Sequence, residues 1–492
     1  MTSETILYGL VLLPLFGGLA AFALRSDRLR RALLLLVAFG HLALALMALR
    51  ARPAPVLNGW IALDDAGLLF LLVTSILFAA AAVYAQGYLR SESRPAHRDP
   101  EESFLFDNAP EAVFTGCLLL FLGTMTLVEV SRHLGLVWVA VEATTLASAP
   151  LIYFHRHHRS LEAVWKYLMI CSVGIALALL GLFFLVSVEF APSLQLDHIL
   201  RDAARLPAPW LKAAFIFMLV GYGTKMGLAP MHTWLPDAHS EAPSLVSALL
   251  SGSLLNCAFL ALWRMVQVCT AAGLGDFVRD LLLALGLVSL GMAALFIVQQ
   301  RDFKRLLAYS SIENMGIMAI GAALGATGAA GAFLHALNHS LIKGALFFVA
   351  GSLLALYGTR ATDAVRGLSR RAPAVARLWL LGLLAIGGMP PFGAFASKFI
   401  VVRSAIVQGH AAVAAAFLLL VFVVFVGLSG VALRMILGPP SEPKSESRAA
   451  LSPAWIVPPA VLLLLSLVLG VCIPAFLERI IQGAAGITGV WP

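Results

Sequence analysis

The chain has few charged residues and few cysteines for its length. Of its 492 residues, 12% are charged and 60% are hydrophobic. A soluble protein cannot cover so much apolar surface, and repeated apolar runs of about 20 residues are typical of transmembrane helices. The five cysteines are scattered without a CxxC pair, which argues against an iron–sulfur cluster, a zinc site or a disulfide framework. The sequence also lacks a nucleotide fingerprint and a flavin site, so we expect no cofactor and no metal in this chain.

The apolar runs predict an all-α polytopic membrane protein with about fourteen transmembrane helices. The N-terminus has no basic segment ahead of its first apolar run, which favours a membrane helix over a cleaved signal. We treat 1–492 as one transmembrane domain with a polar linker at 439–453. Its predicted parts are N-terminal helices in 5–110, a first repeat in 112–268, a second repeat in 280–437 and a C-terminal helix in 454–492.

The distribution of Lys and Arg predicts how the helices are oriented. The odd-numbered loops hold about twice as many basic residues as the even-numbered loops, which places the odd loops in the cytoplasm and both termini on the outer side. The net charge of +8 therefore fits membrane orientation better than nucleic-acid binding. The run His155–Arg159 fits the same rule better than a metal site. We predict a multi-pass protein of the cell (inner) membrane.

Two predicted spans are interrupted. In the seventh span, Lys225 lies inside an apolar helix that Pro230 then breaks, because proline has no N–H to donate and its ring clashes with the preceding turn. The twelfth span carries Lys398 just beyond its own break, which consists of Gly387, Gly388, Pro390 and Pro391. Paired interrupted helices are typical of inverted-repeat transporters, so we predict two inverted five-helix repeats. Simple packing kinks are the alternative.

Ionisable residues inside the predicted spans are candidates for proton transfer, because such residues are costly in a membrane. Glu142 is isolated in the fifth span, and Lys225 is its natural partner; a static ion pair that locks two helices is the alternative. His335, His339 and Lys343 follow at i, i+4 and i+8 on one helical face. This series suits a proton relay, although the histidines could serve only as hydrogen-bonding groups between helices. Metal binding by the two histidines lacks a third ligand.

Several further residues are secondary candidates. Lys166 either snorkels to the cytoplasmic surface or acts as the counterpart of Lys343. Ser251 and Asn256 supply polar groups to the eighth span. Glu313 lies near the start of the tenth span and is either part of a relay or a surface residue, and Glu129 is interpreted as marking a helix end. The residues after the first break, which could line a cytoplasmic mouth, are His232, Asp237, His239 and Glu241.

Four motifs resemble one superfamily along nearly the whole chain. KMGLAPMHTWLPDAHSEAPSLVSALLSG, RDFKRLLAYSSIENMG, HALNHSLIKGALFFVAGS and GGMPPFGAFASKF are similar to the antiporter-like subunits of respiratory complex I and of Mrp-type cation/proton antiporters. The segment VEATTLASAPLIYFHRHHRSLEAVWKYLMICSVGIALALLG resembles the hydrogenase-4 component F group of membrane-bound hydrogenases and formate hydrogenlyases.

The resemblance implies a fourteen-helix fold and proton translocation driven by a redox reaction in other subunits. It matches Glu142, Lys225, Lys343 and Lys398 to the family's titratable positions. The family often has Lys or His in the eighth helix, where this chain has Ser251 and Asn256. The implied partners are other membrane subunits, a peripheral hydrogenase or dehydrogenase arm, the lipid bilayer and protons. An Mrp-type Na⁺/H⁺ antiporter subunit and a purely structural anchor are the alternatives.

Overall fold

The structure, a computed structural model, describes residues 3–93, 97–98, 105–187, 193–439 and 452–486. Almost all of this part is helical. Residues 440–451, most of the predicted linker, and 487–492 lie outside the described residues. The helices are α1 (Ser3–Ala23), α2 (Asp27–Ala51), α3 (Asp65–Ser91), α4 (Glu111–Val130), α5 (Leu134–Ile152), α6 (His158–Val186), α7 (Leu196–Asp202), α8 (Ala208–Met226), α9 (Trp234–Glu241), α10 (Ser244–Leu249), α11 (Leu255–Ala271), α12 (Gly275–Ile297), α13 (Phe303–Ala323), α14 (Gly325–Tyr357), α15 (Leu368–Arg371), α16 (Pro373–Gly387), α17 (Gly393–Val407), α18 (Ala411–Leu437), α19 (Pro453–Val471) and α20 (Ala475–Ala485). Two two-residue strands, β1 (His97–Arg98) and β2 (Leu105–Phe106), pair antiparallel.

The protein is a multi-span membrane protein. Within the described ranges, 11 helices are long and apolar enough to cross a membrane. Helices α8 and α13 and the pair α16–α17 occupy the other three predicted positions, and the total of fourteen stays a prediction. The outer helices keep large apolar side chains exposed, as with Leu419 and Phe422 on α18. A bilayer would cover such faces.

Two helical segments form the centre of the bundle. Every residue of α14 from Gly328 to Leu353 is buried, and so is every residue from Ser244 to Val266 in the eighth span. Both segments carry polar side chains, which therefore face protein rather than lipid. Polar side chains inside a membrane protein usually face the interior of the bundle, where other protein groups can form hydrogen bonds with them.

The break in the seventh span divides it into two half-helices, as predicted. Helix α8 ends at Met226, and Gly227 adopts φ 81°, a left-handed conformation that suits glycine. The Trp234 indole donates to the Thr224 carbonyl at 2.9 Å, and the Ala229 N–H donates to Ser289 Oγ at 2.9 Å. These contacts satisfy backbone groups that the break removes from the helical ladder.

The twelfth span is broken in a similar way. Helix α16 ends at Gly387, Gly388 adopts φ 89°, and α17 begins at Gly393. Lys398 reaches back from α17 and donates to the carbonyls of Ile386 at 3.0 Å and Gly387 at 3.4 Å. A cation at a helix C-terminus interacts favourably with the unpaired carbonyls there.

The eighth span contains an irregularity that the sequence did not predict. Residues Leu250–Leu254 form a π-helical turn between α10 and α11. Such turns inside α-helices are frequent at functional sites. This turn contains Ser251 and ends just before Asn256, so it alters the backbone where the two predicted repeats meet.

Charged residues collect at the two ends of the bundle. At the end where α3 begins, Asp64 pairs with Arg264 and Arg132. At the opposite end, Asp237 pairs with Arg305, and Glu241 pairs with Arg360. We call these the Asp64 end and the Asp237 end. The loop charges predict that the Asp237 end faces the cytoplasm.

Candidate functional site

Lys225 lies in the last turn of α8 and is fully buried. Its Nζ atom donates to Thr145 Oγ1 on α5 and to the Tyr167 hydroxyl on α6, both at 2.7 Å. The Tyr167 hydroxyl is 2.7 Å from Ser148 Oγ, and its ring centroid is 4.5 Å from Lys225 Nζ. All of these partners are neutral, and a hydroxyl can both accept and donate a hydrogen bond. The lysine is therefore connected to groups that can transfer a proton.

Glu142, which the sequence made the natural partner of Lys225, does not contact it directly. Its carboxylate is only partly buried and accepts from Thr145 at 3.3 Å and from Ser172 at 3.2 Å. Thr145 lies one turn after Glu142 on the same face of α5, which puts its hydroxyl between carboxylate and ammonium. The hydroxyl accepts from Lys225 and donates to Glu142, so the two charges are joined through one side chain.

The corresponding groups in the second half form a direct ion pair. Lys398 Nζ lies 3.1 Å from Glu313 Oε1, and the Glu313 side chain is fully buried. Glu313 was an undecided candidate from the sequence, either relay or surface. The structure places it in the interior of the bundle, on α13, as the partner of Lys398.

His335 extends this second network. Its Nε2 atom is 2.8 Å from Asn314 Oδ1, and its Nδ1 atom is 2.9 Å from Ser397 Oγ. Asn314 follows Glu313 in the chain, and Ser397 precedes Lys398. Both ring nitrogens of His335 therefore contact neighbours of the ion pair: Nε2 donates to the Asn314 amide oxygen, and Nδ1 faces the Ser397 hydroxyl.

His339 and Lys343 continue along α14 toward the Asp237 end. Lys343 Nζ donates to Ser310 Oγ at 2.9 Å and to the Leu307 carbonyl. His339 Nε2 lies 3.3 Å from the Ser251 carbonyl. Ser310 lies one turn before Glu313 on α13, so Lys343 and Lys398 both bind polar side chains of that helix.

The eighth span joins the two halves through neutral groups. Ser251 Oγ is 2.8 Å from Ser311 Oγ, and the Asn256 amide donates to Ser340 Oγ at 2.8 Å. Among the described residues, no direct side-chain hydrogen bond connects this segment to Lys225. Buried polar atoms without a partner in the described part of the chain also occur here, namely Asn256 Oδ1, His339 Nδ1 and both ring nitrogens of His239.

Lys166 lies apart from these networks. Its ammonium is largely exposed and pairs with Asp237 at 2.9 Å and with Glu162 at 2.6 Å. This position fits the snorkelling interpretation and separates Lys166 from Lys343, its counterpart in the predicted repeat. His232 and His239 are buried in the segment after the seventh-span break, while Asp237 and Glu241 join the charges at the Asp237 end.

The sequence-based candidates omit five neutral residues that connect the titratable ones. Their spacing from the titratable residues could have indicated four of them. Thr145 and Ser310 lie three residues from Glu142 and Glu313. Ser397 and Asn314 are adjacent to Lys398 and Glu313. Tyr167 is likewise adjacent to the candidate Lys166, but its contact is with Lys225 on another helix, which the sequence did not indicate. Over the ranges that the structure describes, no three His, Cys, Asp or Glu side chains meet in a group that could hold a metal ion.

Comparison with known proteins gives one consistent family. Residues 131–428 match the family described as NADH:quinone oxidoreductase/Mrp antiporter, TM. The hydrogenase-4 component F homolog of Methylacidiphilum infernorum is 36% identical over 404 residues, which cover 80% of this chain and 82% of that protein. NADH-quinone oxidoreductase subunit N of Desulforudis audaxviator is 31% identical over 419 residues, which cover 81% and 80%.

The fold is similar to that of a solved complex. A chain of the Mrp complex from Dietzia sp. DQ12-45-1b superposes with a TM-score of 0.86 at 20% identity, covering 99% of this chain and 98% of that chain. The similarity therefore covers the N-terminal helices and both predicted repeats. Residues 131–428, which match the family, include every titratable residue of the networks described above. The chain belongs to the transmembrane NADH:quinone oxidoreductase/Mrp antiporter family.

Proposed function

We propose that this chain is the proton-translocating membrane subunit of a redox-driven complex of the membrane-bound hydrogenase or NADH:quinone oxidoreductase type. Protons move through Glu142, Lys225, His335, His339, Lys343 and Lys398, while electron transfer takes place in other subunits. The similarity to a hydrogenase-4 component F homolog and to an NADH-quinone oxidoreductase subunit N supports this assignment. The partners are other membrane subunits and a peripheral hydrogenase or dehydrogenase arm.

The observation that carries the proposal is the environment of Lys225. A fully buried ammonium with only hydroxyl partners is costly to keep charged and easy to discharge through those hydroxyls. The Thr145 hydroxyl gives the proton a route to Glu142, which lies at the partly exposed side of the bundle.

The membrane and orientation belong to the same proposal. The chain lies in the cell (inner) membrane with the Asp237 end toward the cytoplasm and both termini outside. The excess of basic residues in the odd-numbered loops supports this orientation. A reporter enzyme that is active only outside the cytoplasm should therefore be active when it is fused after Ala485.

Substitution of Lys225 tests the function. Membrane vesicles that contain the whole complex are energised with the complex's own electron donor, and acidification of their interior is followed with a fluorescent dye. We expect Lys225→Ala to abolish redox-driven proton transport while the complex still assembles. Lys166→Ala, which removes the exposed lysine of the neighbouring helix, serves as the control and should retain transport. Normal transport by Lys225→Ala would overturn the proposal.

An Mrp-type Na⁺/H⁺ antiporter subunit is the second candidate, supported by the fold similarity to the Mrp complex. Its cation site would need convergent oxygen ligands. The oxygens near Glu142 are hydroxyls that donate to the carboxylate, which leaves it fewer free positions for Na⁺. Sodium-dependent proton exchange in vesicles that lack the electron donor would favour this alternative.

A further inference from the structure

Glu129 is a buried acid that the networks above do not include. It lies one residue before the end of α4, at the Asp64 end, yet its side chain is fully buried. Its Oε1 atom accepts a hydrogen bond from the Thr74 hydroxyl on α3, and Cys257 Sγ on α11 lies 3.9 Å from the same oxygen. Glu129 does mark the end of α4, as interpreted from the sequence, but its side chain is also turned into the bundle.

No basic group neutralises this carboxyl among the described residues. It forms no ion pair within the described ranges, and its second oxygen, Oε2, is buried without a hydrogen-bond partner. An ionised carboxylate with one unsatisfied oxygen is expensive in a low dielectric, whereas the neutral acid has a proton to donate. The surroundings thus suit an acid that holds a proton and releases it when a cation or an acceptor approaches.

On one side, Glu129 is connected to the centre of the bundle. Cys257 follows Asn256 in the eighth span, and its helix α11 packs against α8, which carries Lys225. The carboxyl therefore lies next to the segment where the titratable side chains of the two halves are separated by neutral groups. Glu129 is the titratable carboxyl that α4 contributes to this region.

On the other side, Glu129 adjoins the charged residues of the Asp64 end. Its backbone carbonyl packs against Gly67, where a Cβ atom would lie 2.2 Å from that oxygen. Gly67 donates its N–H to Asp64 at 2.9 Å, and Asp64 holds Arg264 and Arg132. Glu129 thus lies between the centre of the bundle and the charged residues of the Asp64 end.

We propose that Glu129 is a further proton-binding residue, which connects the Lys225 region to the Asp64 end of the bundle. The inference rests on the proposed function, because it assigns an outlet to the same proton path. Glu129 receives a proton from the central region and releases it to the aqueous side at the Asp64 end; Asp64, which Arg264 and Arg132 hold ionised, does not accept it.

Glu129→Gln tests the inference, because glutamine keeps an acceptor for Thr74 but has no acidic proton. In vesicles that contain the whole complex, we expect redox-driven transport to fall about tenfold or more while assembly is retained. Glu111→Gln is the matched control at the other end of α4, where the carboxylate pairs with Arg31, and it should retain transport.

Glu129→Asp separates a proton-binding role from a packing role. Aspartate keeps an acid but withdraws it from Thr74, whereas glutamine keeps the contact and loses the acid. The proposal predicts more transport by Glu129→Asp than by Glu129→Gln, including the case in which only the aspartate variant assembles. The reverse order, or normal transport by Glu129→Gln, would overturn it.

The proposed function has its own readout in the same experiment. If Lys225→Ala abolishes transport and Glu129→Gln transports normally, the outlet assigned to Glu129 fails while the function stands. If Lys225→Ala transports normally, the function itself fails.

Discussion

Glu142 and Lys225 in the first half correspond to Glu313 and Lys398 in the second, yet the two pairs differ in one contact. Glu313 and Lys398 touch at 3.1 Å, whereas the Thr145 hydroxyl separates Glu142 from Lys225. Each lysine is held at the C-terminal end of the first half-helix of a broken span. The same chemistry is thus present in two arrangements, one with the charges joined and one with a hydroxyl between them.

The difference suggests how the two halves cooperate. A direct ion pair stabilises the charged forms of both partners, and Lys398 and Glu313 are in direct contact. Lys225 lacks a contacting carboxylate and can pass its proton to the hydroxyls. If the pairs exchange arrangements during turnover, each lysine holds and releases a proton in turn. Predictions that alter one pair therefore test the comparison.

Breaking the joined pair should have the largest effect. Glu313→Ala leaves a buried ammonium without a counter-charge, which costs about 3–5 kcal/mol. We expect little assembled complex, measured as its recovery from membranes on a native gel. Glu142→Ala serves as the control and should assemble, because its carboxylate is partly exposed and makes no direct ion pair. Equal recovery of the two variants would remove the distinction between the halves.

Removing the bridging hydroxyl should affect transport rather than assembly. Thr145→Val keeps the shape of the side chain but cannot relay a proton between Lys225 and Glu142. We expect redox-driven transport to fall about tenfold, and Thr145→Ser should restore most of it. Vesicle acidification measures both variants. Unchanged transport by Thr145→Val would mean that the proton leaves Lys225 by another route.

The Asp64 cluster should make a smaller contribution, to stability. Burial acts to raise the pKa of Asp64, but Arg264, the Gly67 N–H and Arg132 together lower it to about 2. A depressed pKa stabilises the folded state above the unfolded value, and the contribution is lost as the pH falls toward the folded value. Asp64→Asn should therefore lower the unfolding free energy by about 2 kcal/mol at neutral pH, and the difference should shrink between about pH 4 and pH 2.

Thermal unfolding of the detergent-solubilised complex measures this effect. Asp280→Asn is the control, because Asp280 pairs with Arg279 at the surface, where an ion pair contributes little. A pH-independent difference between Asp64→Asn and the unsubstituted protein would contradict the assignment of the stability to the carboxylate.

The sequence predicted the fold class and both helix breaks because apolar length, proline and glycine act locally. The same apolar length, proline and glycine placed Lys225 and Lys398 next to the two breaks. The π-helical turn at Leu250–Leu254, which packs against α14, was not predicted from the sequence. The contact between Glu313 and Lys398 was missed because it joins helices far apart in the chain.

Glu129 illustrates the same limit. Its place near a helix end followed from the sequence, but its burial did not, because burial depends on the neighbouring helices. Only the packing of α3 and α11 against α4 reveals that the carboxyl is enclosed.

The most direct test of the central claim is the number of protons moved per electron by the whole complex in liposomes, with and without Lys225→Ala. Electron transfer is followed in the same sample, so that a loss of transport is separated from a loss of the redox reaction. If Lys225 carries protons through this subunit, the ratio falls in the variant while electron transfer continues. An unchanged ratio would contradict the account.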